Sequence, residues 1–262
     1  MISVVLATHN EEKNITKCLA SVKNFADEII VVDGDSTDQT RALAKKLGAR
    51  VIKTSNKANF HINKQQAMDE AKGQLVLQLD ADEAVDEELA AFIKKTAEKI
   101  SEKKQFSNSD TVAWWIRRRN LFMGRWLKKG GQYPDPVIRL YVKGKAGLPQ
   151  KDVHEQMWVD GQTAMADGHL WHYSNPTFSD YLRKFNTYTS LKAQQLKDKK
   201  LKLNPLTFIN HMIIKPIVTF LKLYIRHKGF MDAWAGFVFA LFSGLHHLVA
   251  YLKFWELKRG EA

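Results

Sequence analysis

The first hundred residues alternate short β-branched runs with stretches of helical spacing, and this alternation limits the folds open to the chain. Residues 2–8 (ISVVLAT), 28–33 (EIIVVD), 50–54 (RVIKT) and 75–79 (LVLQL) read as strands. Between them, residues 12–22, 38–47 and 63–71 carry helical spacing, the second ended by Gly48 and the third stopped by Lys72-Gly73. Strands separated by helices of this length form βαβ units, and so imply a parallel sheet covered by helices.

After residue 105 the pattern changes. Residues 111–118 (TVAWWIRR) and 137–142 (VIRLYV) read as strands, with Gly130-Gly131, Pro134 and Pro136 between them. From Ser179, a candidate cap, the chain reads mainly as helix, with Tyr181, Leu182, Phe185, Tyr188 and Leu191 at helical spacing. The expected organisation is an α/β domain over 1–178, in halves 1–105 and 106–178, followed by a helical extension over 179–262.

The extension is the most hydrophobic part. Residues 206–225 are apolar but interrupted by Asn210, His211, Lys215 and Pro216, and the cleaner run 233–245 closes at His246-His247. A spanning helix needs about 20 predominantly apolar residues, so neither run is expected to cross a bilayer. The expectation is a helix pair lying in the interface. Trp234, Phe237, Phe239, Phe242, Tyr251, Phe254 and Trp255 would face the acyl boundary, and Lys222, Arg226, Lys228, Lys253, Lys258 and Arg259 the headgroups. Packing on the rest of the chain or on a second subunit is the alternative, and His246-His247 read as structural.

Charge follows the same division. Residues 1–110 hold 16 basic and 18 acidic residues, and 111–262 hold 24 and 10, which together give the net +12. The basic half calls for an anionic partner: nucleic acid, acidic lipid or a phosphorylated acceptor. Against nucleic acid, the basic residues are interleaved with long apolar helices. The single cysteine, Cys18, excludes an internal disulfide framework. No basic, apolar leader opens the chain, so the expected compartment is the cytosol.

Ligands of an open parallel sheet bind beyond the carboxyl ends of its strands. Three strands deliver polar clusters there: Thr8-His9-Asn10-Glu11, Asp33-Gly34-Asp35-Ser36-Thr37-Asp38, and Asp80-Ala81-Asp82-Glu83. Acids gathered at one edge repel unless a cation sits among them, and a divalent ion suits Asp80 and Asp82. A metal held by so few carboxylates keeps positions open for phosphate oxygens, which points to a nucleotide-activated donor. Neither GxGxxG nor GxxxxGK[ST] occurs, which counts against dinucleotide and P-loop readings. Asp38 can also cap the following helix.

The segments SVVLATHNEEKNI, EIIVVDGDSTDQT and NKQQAMDEAKGQLVLQLDADE resemble family-2 glycosyltransferases of the inverting, GT-A-fold kind. NLFMGRWLKKGGQYPDPVIRLYVKGKA, VHEQMWVDG, GHLWHYSNPTFSDYLRKFNTYT and KFWELKRG are similar to the subgroup that adds β-linked glucose to inner-core heptose of lipopolysaccharide. The resemblance implies a Rossmann-like, mostly parallel sheet flanked by helices. It implies that Thr8, Asn10 and Glu11 line the nucleoside pocket, with Asp33 on the base. Asp80 would lie near the ribose and the metal, and Asp82 would be the direct Mn²⁺ or Mg²⁺ ligand on the diphosphate of a UDP-sugar. Lys64 stands where many relatives carry arginine, keeping the charge and losing the bidentate fork.

Inverting transfer needs a general base for the acceptor hydroxyl. Glu155 is the first candidate, Asp135 the second and Asp152 the third. Arg117, Arg118, Arg119 and Arg125, with Lys128 and Lys129, form the expected anion-binding rim, with His154 and His172 beside the acceptor. The expected acceptor is a lipid-linked or phosphorylated saccharide at the inner face of the cytoplasmic membrane, or alternatively polyprenyl phosphate or another cell-envelope glycan. The oligomeric state is open.

Overall fold

The structure is a computed structural model that describes residues 1–57, 59–103, 105–107, 109–149 and 156–260. The elements run β1 (Ile2–Thr8), α1 (Ile15–Val22), β2 (Glu28–Gly34), α2 (Thr40–Lys46), β3 (Arg50–Thr54), α3 (Phe60–Asp69), β4 (Leu75–Leu79), β5 (Glu83–Val85) and α4 (Glu87–Ser101). There follow β6 (Thr111–Phe122), β7 (Arg125–Trp126), β8 (Val137–Val142), β9 (Ala146–Gly147), β10 (Trp158–Val159) and β11 (Gln162–Asn175). The helical end comprises α5 (Phe178–Asp198), α6 (Pro205–Ile209), α7 (Lys215–Leu221) and α8 (Ala233–Arg259). The chain divides into two compact units, Met1–Arg118 with Pro136–His172, and Arg119–Asp135 with Tyr173–Ala262. The sequence division at 178 follows the onset of helix, whereas these units gather segments that pack together.

The expected α/β architecture is present. Among the described residues the main sheet runs β3-β2-β1-β4-β8-β6-β11-β5, with β7 on β6. Its character differs from a mostly parallel sheet. The strands β1 to β4 pair in parallel, as βαβ crossovers require. From β8 on, the ladders are antiparallel, because those strands follow one another without crossover helices. Of the parallel strands, β1, β2 and β4 are buried on both faces, which is why their sequences are continuous apolar runs rather than alternating ones, whereas the edge strand β3 is partly exposed.

Helix α4 packs Leu89, Ile93 and Ile100 into the core of the first unit, and Asp86 caps it by accepting from the Leu89 amide at 2.8 Å. The strand β11 passes this helix start through Gly168, whose φ is +83°. A Cβ there would lie 2.2 Å from the Leu89 nitrogen and 2.6 Å from Asp86 Oδ1.

In the second unit the cap of α5 is Thr177, which accepts from the Asp180 amide at 3.1 Å, rather than the expected Ser179. Phe242 of α8 makes edge contacts with Phe178, Tyr181 and Phe185 of α5. Tyr251 and Phe254 are buried in a cluster with Ala193 and Leu196. Three of the seven aromatics expected at an acyl boundary, Phe242, Tyr251 and Phe254, therefore pack α5 on α8. Trp234, Phe237 and Trp255 stay exposed. Just before α8, the buried Asp232 carboxylate accepts from the Lys128 and Lys129 amides, the latter at 2.7 Å.

The expectation that neither apolar run reaches spanning length is corrected. Asn210, His211 and Lys215-Pro216 do not stop the helix; two π-helical turns, Asn210–Ile214 and Lys222–Arg226, carry it on. Pro205–Arg226 and Gly229–Arg259 are both long and apolar enough to cross a membrane, by length and composition. His246 and His247 sit within α8, the first against the Phe185 ring and the second 3.1 Å from Thr219 Oγ1.

The Gly168→Ala variant is expected to lose on the order of 3 kcal/mol of stability, from the left-handed backbone and the collision with the start of α4. Thermal unfolding measures it; an unchanged melting temperature contradicts this packing.

Candidate active site

The loops after β1 and β2 are stitched together by their polar side chains. Asn10 and Asp35 adopt left-handed backbone (φ 55° and 60°), a conformation that asparagine and aspartate tolerate better than most residues. The Asn10 amide donates to Ser36 Oγ at 2.9 Å, and Asn10 Oδ1 accepts from the Thr37 amide at 2.8 Å. The Glu11 amide donates to Thr40 Oγ1 at 2.7 Å, and Glu11 Oε2 accepts from Asn14. Asp38 accepts from the amides of Glu12 and Thr40, so it ties the two loops as well as covering the start of α2.

Asp33 lies beneath this edge with no exposed side-chain surface. It accepts from Thr8 Oγ1 (2.9 Å), Ser36 N (2.9 Å), Ser36 Oγ (2.6 Å) and Arg41 Nη1 (2.9 Å). Burial alone would push its carboxyl up; the hydrogen bonds from Ser36, Arg41 and Thr8 outweigh it and hold the group below its ordinary value. Four donors fill both oxygens, so each Asp33 oxygen accepts two hydrogen bonds. Arg41 was not singled out in the sequence.

The turn after β4 is the electrostatic centre of the first unit. Register sets it: Leu77 of β4 pairs with Leu140 of β8, which brings Arg139 beside Gln78. The Arg139 guanidinium donates to Gln78 Oε1 and Asp80 Oδ2, and reaches Glu83 Oε1 at 3.2 Å. Lys64 of α3 pairs with the other Asp80 oxygen. Glu83, with no exposed side-chain surface, also accepts from the Asp80 amide at 3.0 Å and lies 3.5 Å from Arg118. Burial opposes a charged Asp80, but Arg139 and Lys64 hold its carboxyl well below the usual range. Two carboxylates, Asp80 and Glu83, are thus matched by Lys64, Arg118 and Arg139.

Asp82 is placed differently. Pairing of Glu83 with His172 across β5 and β11 sets the imidazole beside the turn, with Nε2 at 3.5 Å from Asp82 Oδ2. His172 therefore belongs with the expected metal residue and not only with an acceptor. An aspartate oxygen is a suitable donor for Mn²⁺ or Mg²⁺, and an imidazole nitrogen for Mn²⁺. Asp80, with cations on both oxygens, would have to exchange Lys64 to join them. Cys18 is structural: its buried thiol, pushed up by burial and then by nearby acids, lies 3.6 Å from the Asp80 carbonyl.

The arginine cluster divides. Arg117 donates to the Ala166 carbonyl at 3.1 Å, and Arg118 turns to Glu83, as alternation along β6 dictates. These contacts are inward and correct the picture of one continuous rim. Arg119 and Arg125 belong to the second unit, Arg125 exposed. Asp135 is in that unit too, with left-handed backbone (φ 40°) and with Oδ2 accepting from the buried Asn120 amide group at 2.9 Å. Asp152, His154 and Glu155 lie outside the described residues. Arg139, and its pairing with the edge acid Glu83, were missed, although a charge inside the apolar run VIRLYV demands a buried partner.

A model of the family described as "Glycosyl transferase family 2" matches residues 3–155. An uncharacterized glycosyltransferase of Rickettsia typhi is 28% identical over 265 residues, covering 98% of this chain and 87% of the relative. The lipopolysaccharide core biosynthesis glycosyltransferase LpsC of Rhizobium meliloti is 28% identical over 262 residues, covering 92% and 90%. The crystal structure of S. aureus TarS 1-349 in complex with UDP-GlcNAc is similar with a TM-score of 0.47 at 16% identity, covering 97% of this chain and 88% of that one.

Arg139→Met strips Glu83 and Asp80 of their shared cation and is expected to cost about 3–5 kcal/mol in urea unfolding, with Arg139→Lys costing clearly less. Equal, small losses contradict a buried charge network. The depressed Asp33 pKa contributes stability that is complete above about pH 4, where an unfolded aspartate titrates, and is lost as pH falls through the lower folded value. The stability gap between wild type and Asp33→Asn should therefore narrow on acidification from about pH 6 to about pH 3. A constant gap removes Asp33 from the acid limb.

Proposed function

The chain belongs to glycosyl transferase family 2, and we propose that it is an inverting, metal-dependent transferase acting on a lipid-linked saccharide. In this reading a hexose, glucose by the subgroup resemblance, passes from its UDP conjugate to the heptose region of the lipopolysaccharide inner core. The observation that carries it is the turn Asp80–Asp82, with Lys64, Arg139 and His172 on its carboxylates, next to the hydrogen-bonded loop edge of Thr8, Asn10, Glu11 and Asp33. Similarity to LpsC over nearly the full length of both chains supports a cell-envelope acceptor.

Asp82, with His172 beside it, would hold the divalent ion, which when bound supplies positive charge to the diphosphate. Lys64 is the cation on Asp80 that can turn to phosphate, since its ammonium sits at the end of a flexible stem, whereas Arg139 is fixed between β4 and β8. Thr8, Asn10 and Glu11 form the wall on the nucleoside side. A carboxylate takes the acceptor hydroxyl's proton as its oxygen attacks the anomeric carbon opposite the leaving diphosphate. Glu155 and Asp135 are the two candidates; the Asn120 amide holds Asp135 Oδ2 at 2.9 Å. Arg119, Arg125 and His154 remain proposed acceptor residues, and the reaction is placed at the cytoplasmic face of the inner membrane.

Calorimetry with UDP and Mn²⁺ is expected to show binding that Asp82→Ala abolishes; unchanged binding refutes the metal assignment. In UDP-release assays with truncated lipopolysaccharide, one of Glu155→Gln and Asp135→Asn should lower kcat by about 10²–10⁴-fold while leaving UDP affinity intact. Full activity in both variants would remove both residues as the base.

A further inference from the structure

Acidic residues are almost missing from the surface of the helical end. Between Asp198 and Asp232 there is no aspartate or glutamate, while Lys199, Lys200, Lys202, Lys215, Lys222, Arg226 and Lys228 provide seven basic residues. From 199 to 255 the one acid is Asp232, and it is buried beneath the Lys128 and Lys129 amides. Any partner of this surface therefore meets cations alone.

The same segment exposes a regular apolar stripe. Ile209, Ile213, Ile217, Leu221 and Ile225 recur every fourth residue and are 44%, 50%, 52%, 43% and 57% exposed. A strict four-residue repeat drifts around an ordinary α-helix. The two π-helical turns at Asn210–Ile214 and Lys222–Arg226 wind fewer degrees per residue and hold the stripe closer to one side. Phe230, Met231 and Trp234, all at least 50% exposed, continue the apolar surface at the start of α8.

We infer that the 205–234 face docks on an anionic bilayer, lying in its interface with the isoleucine stripe among the acyl chains and Lys222, Arg226 and Lys228 at phosphate level. The inference takes up the lipid-linked acceptor of the proposed function, and rests on that reading only for the choice of a bilayer. Charge argues against a second copy of the chain, because a two-fold contact would set this cationic face against itself. Packing argues against spanning for α8, which lies on α5, a helix carrying Asp180, Arg183, Lys184, Lys192, Lys197 and Asp198. The physical basis is that of a monotopic anchor, in which apolar burial and headgroup attraction add.

The test is flotation of the full chain with vesicles of phosphatidylglycerol and phosphatidylethanolamine, or of phosphatidylcholine alone. Wild type should float with the anionic vesicles and at least about tenfold less with the neutral ones. Ile217→Glu/Leu221→Glu should abolish flotation, and Lys222→Glu/Arg226→Glu/Lys228→Glu should reduce it at least about tenfold. UDP affinity serves as the folding control in both variants. Flotation of the folded Ile217→Glu/Leu221→Glu variant at the wild-type level would overturn the inference. So would a wild-type chain that ignores anionic vesicles and runs as a dimer disrupted by the same substitutions. Loss of transfer activity with flotation intact would count against the proposed function and leave the docking surface standing.

Discussion

One buried guanidinium, Arg139, ties together the parts that the catalytic reading needs. It bonds to the last turn of β4 through Gln78, to the Asp80-x-Asp82 turn through Asp80, and to β5 through Glu83. Taking two carboxylates and three cations out of water is expensive, and their mutual attraction compensates only when the geometry is complete. Such a cluster is therefore better understood as a device for holding one conformation than as a source of stability. What it holds is the turn that presents Asp82 next to His172.

The two loops at the β1 and β2 ends solve a related problem with neutral partners. Hydroxyls and amides from Thr8, Asn10, Ser36, Thr37 and Thr40 stitch the loops, and Asp33 collects four donors beneath them. Preorganised polar walls cost nothing to rearrange when a ligand arrives. Left-handed Asn10 and Asp35 are the local strain that this wiring maintains.

Much of this was legible in the chain. β1, β3, β4 and β8 have the limits read from their β-branched, apolar runs, a plain local signature. Asp80 and Asp82 were legible because they follow the end of β4, and Lys64 only through the family resemblance. β11 was not: its 14 residues include Asp167, Gly168 and His169, and their strand conformation depends on pairing with partners distant in sequence. The same holds for Arg139, Glu83 and the placement of His172, which register brings to the turn. Interruptions at Asn210, His211 and Lys215-Pro216 misled about helix length, because π-helical turns absorb them. The C-terminal aromatics divided between packing and exposure, a distinction that hydrophobicity alone does not contain.

The proposed site divides its labour: Asp82 would meet the metal while Asp80 stays with Arg139. A crystal structure of the complex with Mn²⁺ and UDP tests it most directly. The expected result is Mn²⁺ on the Asp82 carboxylate and the diphosphate, Arg139 still bonded to Asp80 and Glu83, and Lys64 turned from Asp80 toward phosphate. Mn²⁺ on Asp80 with Arg139 displaced from it would contradict the claim.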